Sequence, residues 1–315
     1  MGYNIAMVGA GISGMSTAYL LKNQGHKVTI YASNFSPDIT SNKAAAFWFP
    51  YHIRNDNRGI EWCHTTYKYY LHFAEDPNTG ISLRQLHKIL REQVAEEEPI
   101  WRDFMPADSV RMMDSDELQP GVAKGYDITV PLIETQLFLP WLMQQLQQKG
   151  VAFILKKIAD FDELSSSYDI IINCSALGAR ELCKDDQVIP VRGQVALIAP
   201  GDDLTIYLDN EKPLYVVPRK DAIIIGGTYE MDEEHAITKP ETINRLLKTA
   251  YEVFPQLAQH QVLGSWAGLR PYRNEVRVER EAGKNIIHNY GHGGSGFTLA
   301  FGCAETVCKI LQQEF

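Results

Sequence analysis

The stretch Asn4-Ile5-Ala6-Met7-Val8-Gly9-Ala10-Gly11-Ile12-Ser13-Gly14, with the residues up to Tyr31 that follow it, decides the fold. Asn4 to Val8 reads as a short buried strand, Met15 to Asn23 as a helix that Gly25 ends, and Lys27 to Tyr31 as a second strand. In the turn between them Gly9 permits a tight bend, and Gly11 lets the main chain approach a pyrophosphate. Gly14 allows the helix to pack closely on the sheet. The start of that helix offers free N–H groups and a partial positive charge to phosphates. A lone glycine fingerprint is weak evidence, and a tight turn alone is the competing reading. Here the glycines follow a strand, open a helix and sit in a unit of about 30 residues, which points to dinucleotide binding. One part is missing. Tyr31-Ala32-Ser33-Asn34 stands where an acidic residue is expected for a ribose hydroxyl, and Ser33 or Asn34 would bind it more weakly.

Outward from this unit the chain is loop-like from Ser33 to Lys43. Glu61 to Glu75, Ser82 to Glu92 and Leu137 to Lys149 read as helices, and the acidic run Glu96-Glu97-Glu98 as a solvated surface. Tyr168 to Cys174 is a continuous apolar strand of the kind buried on both faces in a parallel sheet. Short runs at Gln194–Ile198, Tyr215–Val217 and Ala222–Ile225, separated by Pro, Gly and Asp, suggest an antiparallel sheet. A helix from Pro240 to Phe254 follows, and the tail runs strand (Asn285 to Asn289), glycine loop (Gly291 to Gly296) and helix (Thr298 to Leu311). The expected class is α/β: a Rossmann-type domain of residues 1–46, 136–186 and 266–315, assembled from discontinuous segments. Residues 47–135 and 187–265 form an inserted antiparallel-sheet domain.

The bulk properties narrow the function. The 315 residues carry 45% hydrophobic and 22% charged side chains, an ordinary globular balance, and a formal charge of -9 without a basic block argues against nucleic acid. Five widely spread cysteines without a C-x-x-C pair indicate neither a zinc site nor a disulfide framework, so a reducing compartment is expected. Ile5 to Leu21 lacks the basic start of a signal peptide, and Pro131, Glu134, Gln136 and Pro140 interrupt the best candidate for a membrane span. The expectation is a soluble, cytoplasmic protein.

Two further segments carry chemistry. In His288-Asn289-Tyr290-Gly291-His292-Gly293-Gly294-Ser295-Gly296-Phe297-Thr298 the glycines let the main chain run close against a flat ligand, with N–H groups aimed inwards at a helix start. Metal binding by His288 and His292 is the competing reading. Their spacing aligns two ligands only on a helix, and the glycines argue against one. In Trp266-Ala267-Gly268-Leu269-Arg270-Pro271-Tyr272-Arg273, Arg270 sits after an apolar run where burial is costly without an anion. Chemistry alone leaves it open between gripping a carboxylate and making a structural ion pair.

Together these segments closely resemble the D-amino-acid oxidase family. The matching residues are the Gly9–Gly14 turn, Ala44-Ala45-Ala46-Phe47-Trp48-Phe49-Pro50-Tyr51, Asn173-Cys174-Ser175, Arg192-Gly193-Gln194 and Tyr215-Val216-Val217-Pro218. Gly226-Gly227-Thr228, Gly268-Leu269-Arg270-Pro271 with Arg277 and Glu279, and the His288–Thr298 segment complete them, in the family's order.

The resemblance implies FAD and the oxidation of a D-amino acid, whose α-hydrogen passes as hydride to flavin N5. The imino acid hydrolyses to a 2-oxo acid and ammonia, and O2 reoxidises the flavin to give hydrogen peroxide. By the match Arg270 holds the substrate carboxylate, Tyr215 hydrogen-bonds it, and the Gly294 carbonyl takes the amine. The FAD contacts carried over are Gly9, Ala10, Gly11, Ile12, Ser13, Gly14, Ser33, Thr40, Ser41, Ala45, Ala46, Phe47, Ile158, Ser175, Gly293, Gly294, Ser295, Gly296, Phe297 and Thr298. The substrate pocket implied is Phe47, Phe49, Tyr207, Tyr215, Arg270 and Ser295. Dimers occur in the family.

Departures qualify the match. Mammalian members carry a lid loop with a second tyrosine shortly before the position of Tyr215, whereas Asp209 to Leu214 is shorter and has none, leaving Tyr207 as the candidate substitute. Phe47 and Phe49 would make the side-chain pocket apolar, against acidic substrates, unless they are simply core. The expected activity is thus oxidation of a neutral or hydrophobic D-amino acid. Oxidation of glycine, sarcosine or another secondary amine, a dehydrogenase using a quinone or protein acceptor, and a flavin binder without turnover are the rivals.

Overall fold

The apolar run Ile5–Val8 lies in the middle of a parallel sheet, where a strand without polar alternation is covered on both faces. The computed structural model describes residues 2–54, 56–91, 100–201 and 204–314. Its first half contains β1 (Asn4–Val8), α1 (Ile12–Asn23), β2 (Lys27–Ala32), α2 (Asn57–Phe73), β3 (Ile81–Leu90), β4 (Val110–Met112), β5 (Lys124–Ile133), α3 (Thr135–Gln148) and β6 (Ala152–Leu155). There follow α4 (Asp162–Ser165), β7 (Ile170–Asn173), α5 (Ala179–Leu182), β8 (Ile189–Ile198), β9 (Ile206–Asp209), β10 (Leu214–Pro218), β11 (Ile223–Gly226) and β12 (Glu230–Met231). The chain ends with α6 (Pro240–Val253), β13 (Val262–Arg280), β14 (Ile286–His292) and α7 (Gly296–Glu314).

Five strands pair in parallel in the order β14-β7-β1-β2-β6, drawn from the start, middle and end of the chain. The antiparallel strands β8, β11, β10 and β9 continue the sheet, and β3, β5 and β4 extend it beyond β9. One long strand joins the two sections. β13 pairs with β8 through its first half and with β14 through its second, its register shifting between Tyr272 and Arg277. That shift re-aims the strand where the two sections meet, as bulges do. The carboxyl ends of β1, β7 and β14 lie side by side, the position at which an open parallel sheet receives a ligand.

Sequence and structure part most clearly at β3. Where a helix was expected from Ser82 to Glu92, residues Ile81–Leu90 form the strand β3, paired over its full length with β5 from Ile81↔Ile133 to Leu90↔Lys124. Leu83, Leu86, Ile89 and Leu90 recur at a helix-like spacing, but Leu83 is exposed, and the strand is paired with β5 along one edge and with β9 along the other over Leu86–Ile89. Tertiary pairing has overridden the local pattern. β5 itself had no counterpart in the sequence reading. Glu92 and the acidic run Glu96-Glu97-Glu98 lie outside the described residues.

α7 crosses α2 at Gly302, where a Cβ would sit 2.3 Å from Trp62 Cα and 2.4 Å from Trp62 O. The Gly302 N–H donates to Thr66 Oγ1 at 2.9 Å. Backbone on both sides leaves nothing to rotate away, so Gly302→Ala is expected to push the helices apart. The cost is about 1–3 kcal/mol, read as a lower midpoint in thermal unfolding of the apoprotein.

Candidate active site

The first turn shows why its glycines are needed. Gly9 has φ +115°, and a Cβ there would lie 2.2 Å from Cys174 O at the end of β7. A Cβ on Gly14 would lie 2.0 Å from Gly9 O, so helix and strand touch backbone to backbone. Gly11 is the N-cap of α1, without a side chain of its own to cap the helix, and the first turn holds no acid. The Ile12 N–H donates to Ser41 Oγ at 3.1 Å, which brings the Thr40–Lys43 turn to the same place. Ser175 follows β7 with its N–H on Asn173 Oδ1 at 3.1 Å and its Oγ buried without a protein partner. Asn42 Oδ1 is orphaned in the same way. Ser33 is exposed at the end of β2, and Ile158 is buried against Ala6, Val8 and Ile171 on the sheet face.

The second glycine loop converges on the first. Gly291 and Gly293 have φ +88° and +55°, and a Cβ on Gly296, where α7 begins, would lie 3.6 Å from Ile12 Cγ2. Two helix N-termini therefore face one crevice. Ser295 donates its hydroxyl to Tyr51 O, and Thr298 donates to Phe49 O at 2.9 Å. Those side chains brace the Phe49–Tyr51 segment, so Ser295, expected in the substrate pocket, has its hydroxyl committed elsewhere. His292 Nε2 pairs with Asn289 Oδ1 at 3.0 Å and His288 Nε2 with Glu281 Oε2 at 3.1 Å. Burial, reinforced at His288 by Arg277, pushes both imidazoles down to about 4, so they are neutral struts of the loop. Among the described residues no three metal-binding side chains cluster.

The arginine and the glycine loop meet. A Cβ on Gly294 would lie 3.4 Å from Arg270 Cδ and 2.8 Å from Tyr51 Cδ1. Arg270 lies flat over Gly193, where a Cβ would come within 2.3 Å of the guanidinium, and its Nη1 donates to Thr228 O at 2.9 Å. The Tyr215 hydroxyl bonds the same guanidinium, while its ring lies against Gly226 and Gly227. Tyr229 stands 5.9 Å from Arg270 Cζ and stacks on His52 at 4.6 Å. Phe47 meets Tyr215 edge-on at 6.5 Å, and Phe49 lies behind it against Trp101. Burial raises the Tyr51, Tyr215 and Tyr229 hydroxyls above their ordinary range against the pull of Arg270. Burial and Arg270 both lower His52.

Tyr207 does not join this group. Strand alternation puts it on the opposite face from Tyr215, with its ring on Phe254 and its hydroxyl between Asp209 and Arg91. It replaces no lid. Tyr51, His52 and Tyr229 surround Arg270 instead. The first lay within a quoted motif and the last directly follows Gly-Gly-Thr, while nothing in the sequence marked His52.

The crevice between the glycine turns suits a flavin dinucleotide: two helix starts free of acids for the pyrophosphate, an orphaned serine hydroxyl and glycine-thin walls. Comparison with known proteins agrees. The family model described as FAD dependent oxidoreductase matches residues 4–310. The D-amino-acid oxidase of Rubrobacter xylanophilus is 37% identical over 96% of this chain and 94% of its own. That of Dictyostelium discoideum is 34% identical over 98% and 92%. The glycine oxidase of Bacillus cereus superposes with a TM-score of 0.85 over 99% of this chain and 96% of its own, at 17% identity, and shares the fold. With the family match spanning nearly the whole chain and both glycine turns, the chain belongs to the D-amino-acid oxidase family of FAD-dependent oxidoreductases.

Proposed function

We propose that this protein oxidises a neutral or hydrophobic D-amino acid to the 2-oxo acid, with ammonia and hydrogen peroxide as the other products. One observation carries the reading. Arg270 is half-buried among aromatic rings, holds a backbone carbonyl and a tyrosine hydroxyl, and pairs with no carboxylate among the described residues. A guanidinium so placed is short of an anion, and its planar fork matches a carboxylate. The curated relatives named above are D-amino-acid oxidases, which fits that ligand.

In this reading Arg270 grips the substrate carboxylate and the Tyr215 hydroxyl donates to it. The Gly294 carbonyl accepts from the amine. FAD, bound across the two glycine turns, supplies a two-electron acceptor for the α-hydrogen. Burial raises the Tyr51, Tyr215 and Tyr229 hydroxyls, so none of the three is a tyrosinate ready to take a proton at pH 7. The protein's work is positioning, which is sufficient when the amine arrives uncharged. Phe47, Tyr215 and Tyr229 offer an acidic side chain no favourable charge.

The parallel section would form the FAD-binding domain (1–46, 136–186, 266–315) and the remainder the substrate domain (47–135, 187–265). Five free cysteines suit a reducing, cytoplasmic setting, and among the described residues no helix is long and apolar enough to cross a membrane.

Adding D-alanine, D-phenylalanine, D-proline, D-aspartate or glycine without oxygen tests the activity. Bleaching of the flavin band by neutral D-amino acids, with peroxide on re-aeration, is expected; bleaching by glycine alone, or none, defeats the proposal. Arg270→Ala is expected to raise KM on the order of 100-fold while FAD stays bound, the loss of a charge-assisted bidentate contact. Unchanged kinetics would remove Arg270 from this role. The pH profile follows from the shifts. A tyrosinate beside Arg270 repels a bound carboxylate, and these hydroxyls titrate above their ordinary 10.0. Calorimetric binding of propionate, the carboxylate of alanine without its amine, is therefore expected to be level from pH 7 to about 9.5 and to weaken only above about 10. Weakening that begins near neutrality would contradict it.

A further inference from the structure

The motif Arg192-Gly193-Gln194 on β8 is only partly explained by the clamp itself. Strand alternation sends Gly193 to the face where the Arg270 guanidinium lies, and Arg192 and Gln194 to the other. On that other face a polar group converges on Glu230 of β12, which stands opposite Arg192 in the ladder. Arg192, only 3% exposed, donates to Glu230 through both Nε and Nη2, and also reaches Glu233 at 2.8 Å and His235 O at 3.3 Å. Gln194 Nε2 donates to Glu230 Oε1 at 2.6 Å, and Gln194 Oε1 accepts from the Lys239 N–H at 2.6 Å.

Thr228 connects this group to the clamp. Its Oγ1 accepts from the Gln194 N–H at 3.0 Å and is hydrogen-bonded to the Glu230 carboxylate. Its carbonyl accepts from Arg270 Nη1 at 2.9 Å. Thr228 lies in the short loop between β11 and β12, and β12 has just two residues, so little ladder holds this carbonyl in place.

We propose that Glu230, locked by Arg192 and Gln194, is a positioning residue for substrate binding: it fixes Thr228, whose carbonyl sets the angle of the Arg270 guanidinium. The proposal rests on the reading of Arg270 as the carboxylate clamp. A bidentate fork tolerates little rotation, so loosening one nitrogen's partner weakens carboxylate binding without touching the reacting atoms. Glu230 contacts no substrate. Its effect is therefore on KM rather than kcat.

The test is a double-mutant cycle on the holoenzyme. Glu230→Gln is expected to raise KM for the D-amino acid that reduces the enzyme fastest, and the Kd of propionate, each by about 10-fold, with kcat within about twofold. FAD affinity is expected to stay the same. In an Arg270→Lys background, where the fork is already lost, Glu230→Gln is expected to add little. Thr228→Val keeps the shape, removes the Oγ1 tether and should reproduce the KM effect; it carries the test if Glu230→Gln does not fold. Unchanged KM and Kd in both single variants, a loss confined to kcat, or full additivity with Arg270→Lys overturns the proposal. If Arg270→Lys itself leaves propionate binding unchanged, the clamp reading has failed and the role of Glu230 goes with it. If Arg270→Lys weakens binding and Glu230→Gln does not, the clamp stands and only the positioning role falls.

Discussion

A guanidinium held half-buried with no carboxylate partner among the described residues is the constraint around which the rest of the site is arranged. Charge in a mostly aromatic enclosure is costly, and the surroundings of Arg270 offset that cost with a carbonyl from Thr228 and a hydroxyl from Tyr215 rather than with an anion. Gly193 lies beneath it because a side chain there would occupy the space of the guanidinium, and Gly294 beside it because a side chain would strike Tyr51. The glycines, the tyrosines and the loop after β11 can all be understood as consequences of keeping one cation accessible.

The fold supplies the second requirement, a shared edge. β13 belongs to both halves of the sheet, pairing with β8 before the register shift and with β14 after it. Arg270 therefore extends from the same strand that anchors the flavin-side glycine loop, and Gly294 comes within van der Waals reach of it. The hydroxyls of Ser295 and Thr298 tie the Phe49–Tyr51 segment to the start of α7. Arg270 and the glycine loop before α7 are thus set by the paired strands β13 and β14 rather than by two mobile bodies. Such rigidity suits a reaction that depends on orientation.

The loop at the position of the mammalian lid is short, and Tyr207, the candidate substitute for the missing tyrosine, is turned into the second core beneath α6. Its hydroxyl stabilises the buried Asp209 together with Arg91. The aromatic cover over Arg270 comes from elsewhere: Tyr229 after β11, His52 and Tyr51 after the Phe49–Pro50 segment. A one-residue offset in register between β9 and β10 would look harmless in a sequence. In a strand, though, a change of parity reverses the face, and with it the role.

Local chemistry was legible in the sequence wherever a residue's task is set by its immediate neighbours. The Gly9–Gly14 turn, the buried strand ending at Asn173, the glycine loop before α7 and the isolated Arg270 all follow from steric and solvation rules that act over a few residues. Where the outcome depends on pairing partners far along the chain, the sequence was silent or misleading. Ser82–Leu90 carries a helical spacing yet becomes a strand because β5 supplies a complete ladder for it. Tyr207 could not be assigned a face before its register was known, and the gathering of Tyr51, His52 and Tyr229 around Arg270 joins segments about 180 to 220 residues apart. Short-range sterics decide turns and buried runs, whereas sheet register, a property of two strands at once, decides which side chains meet.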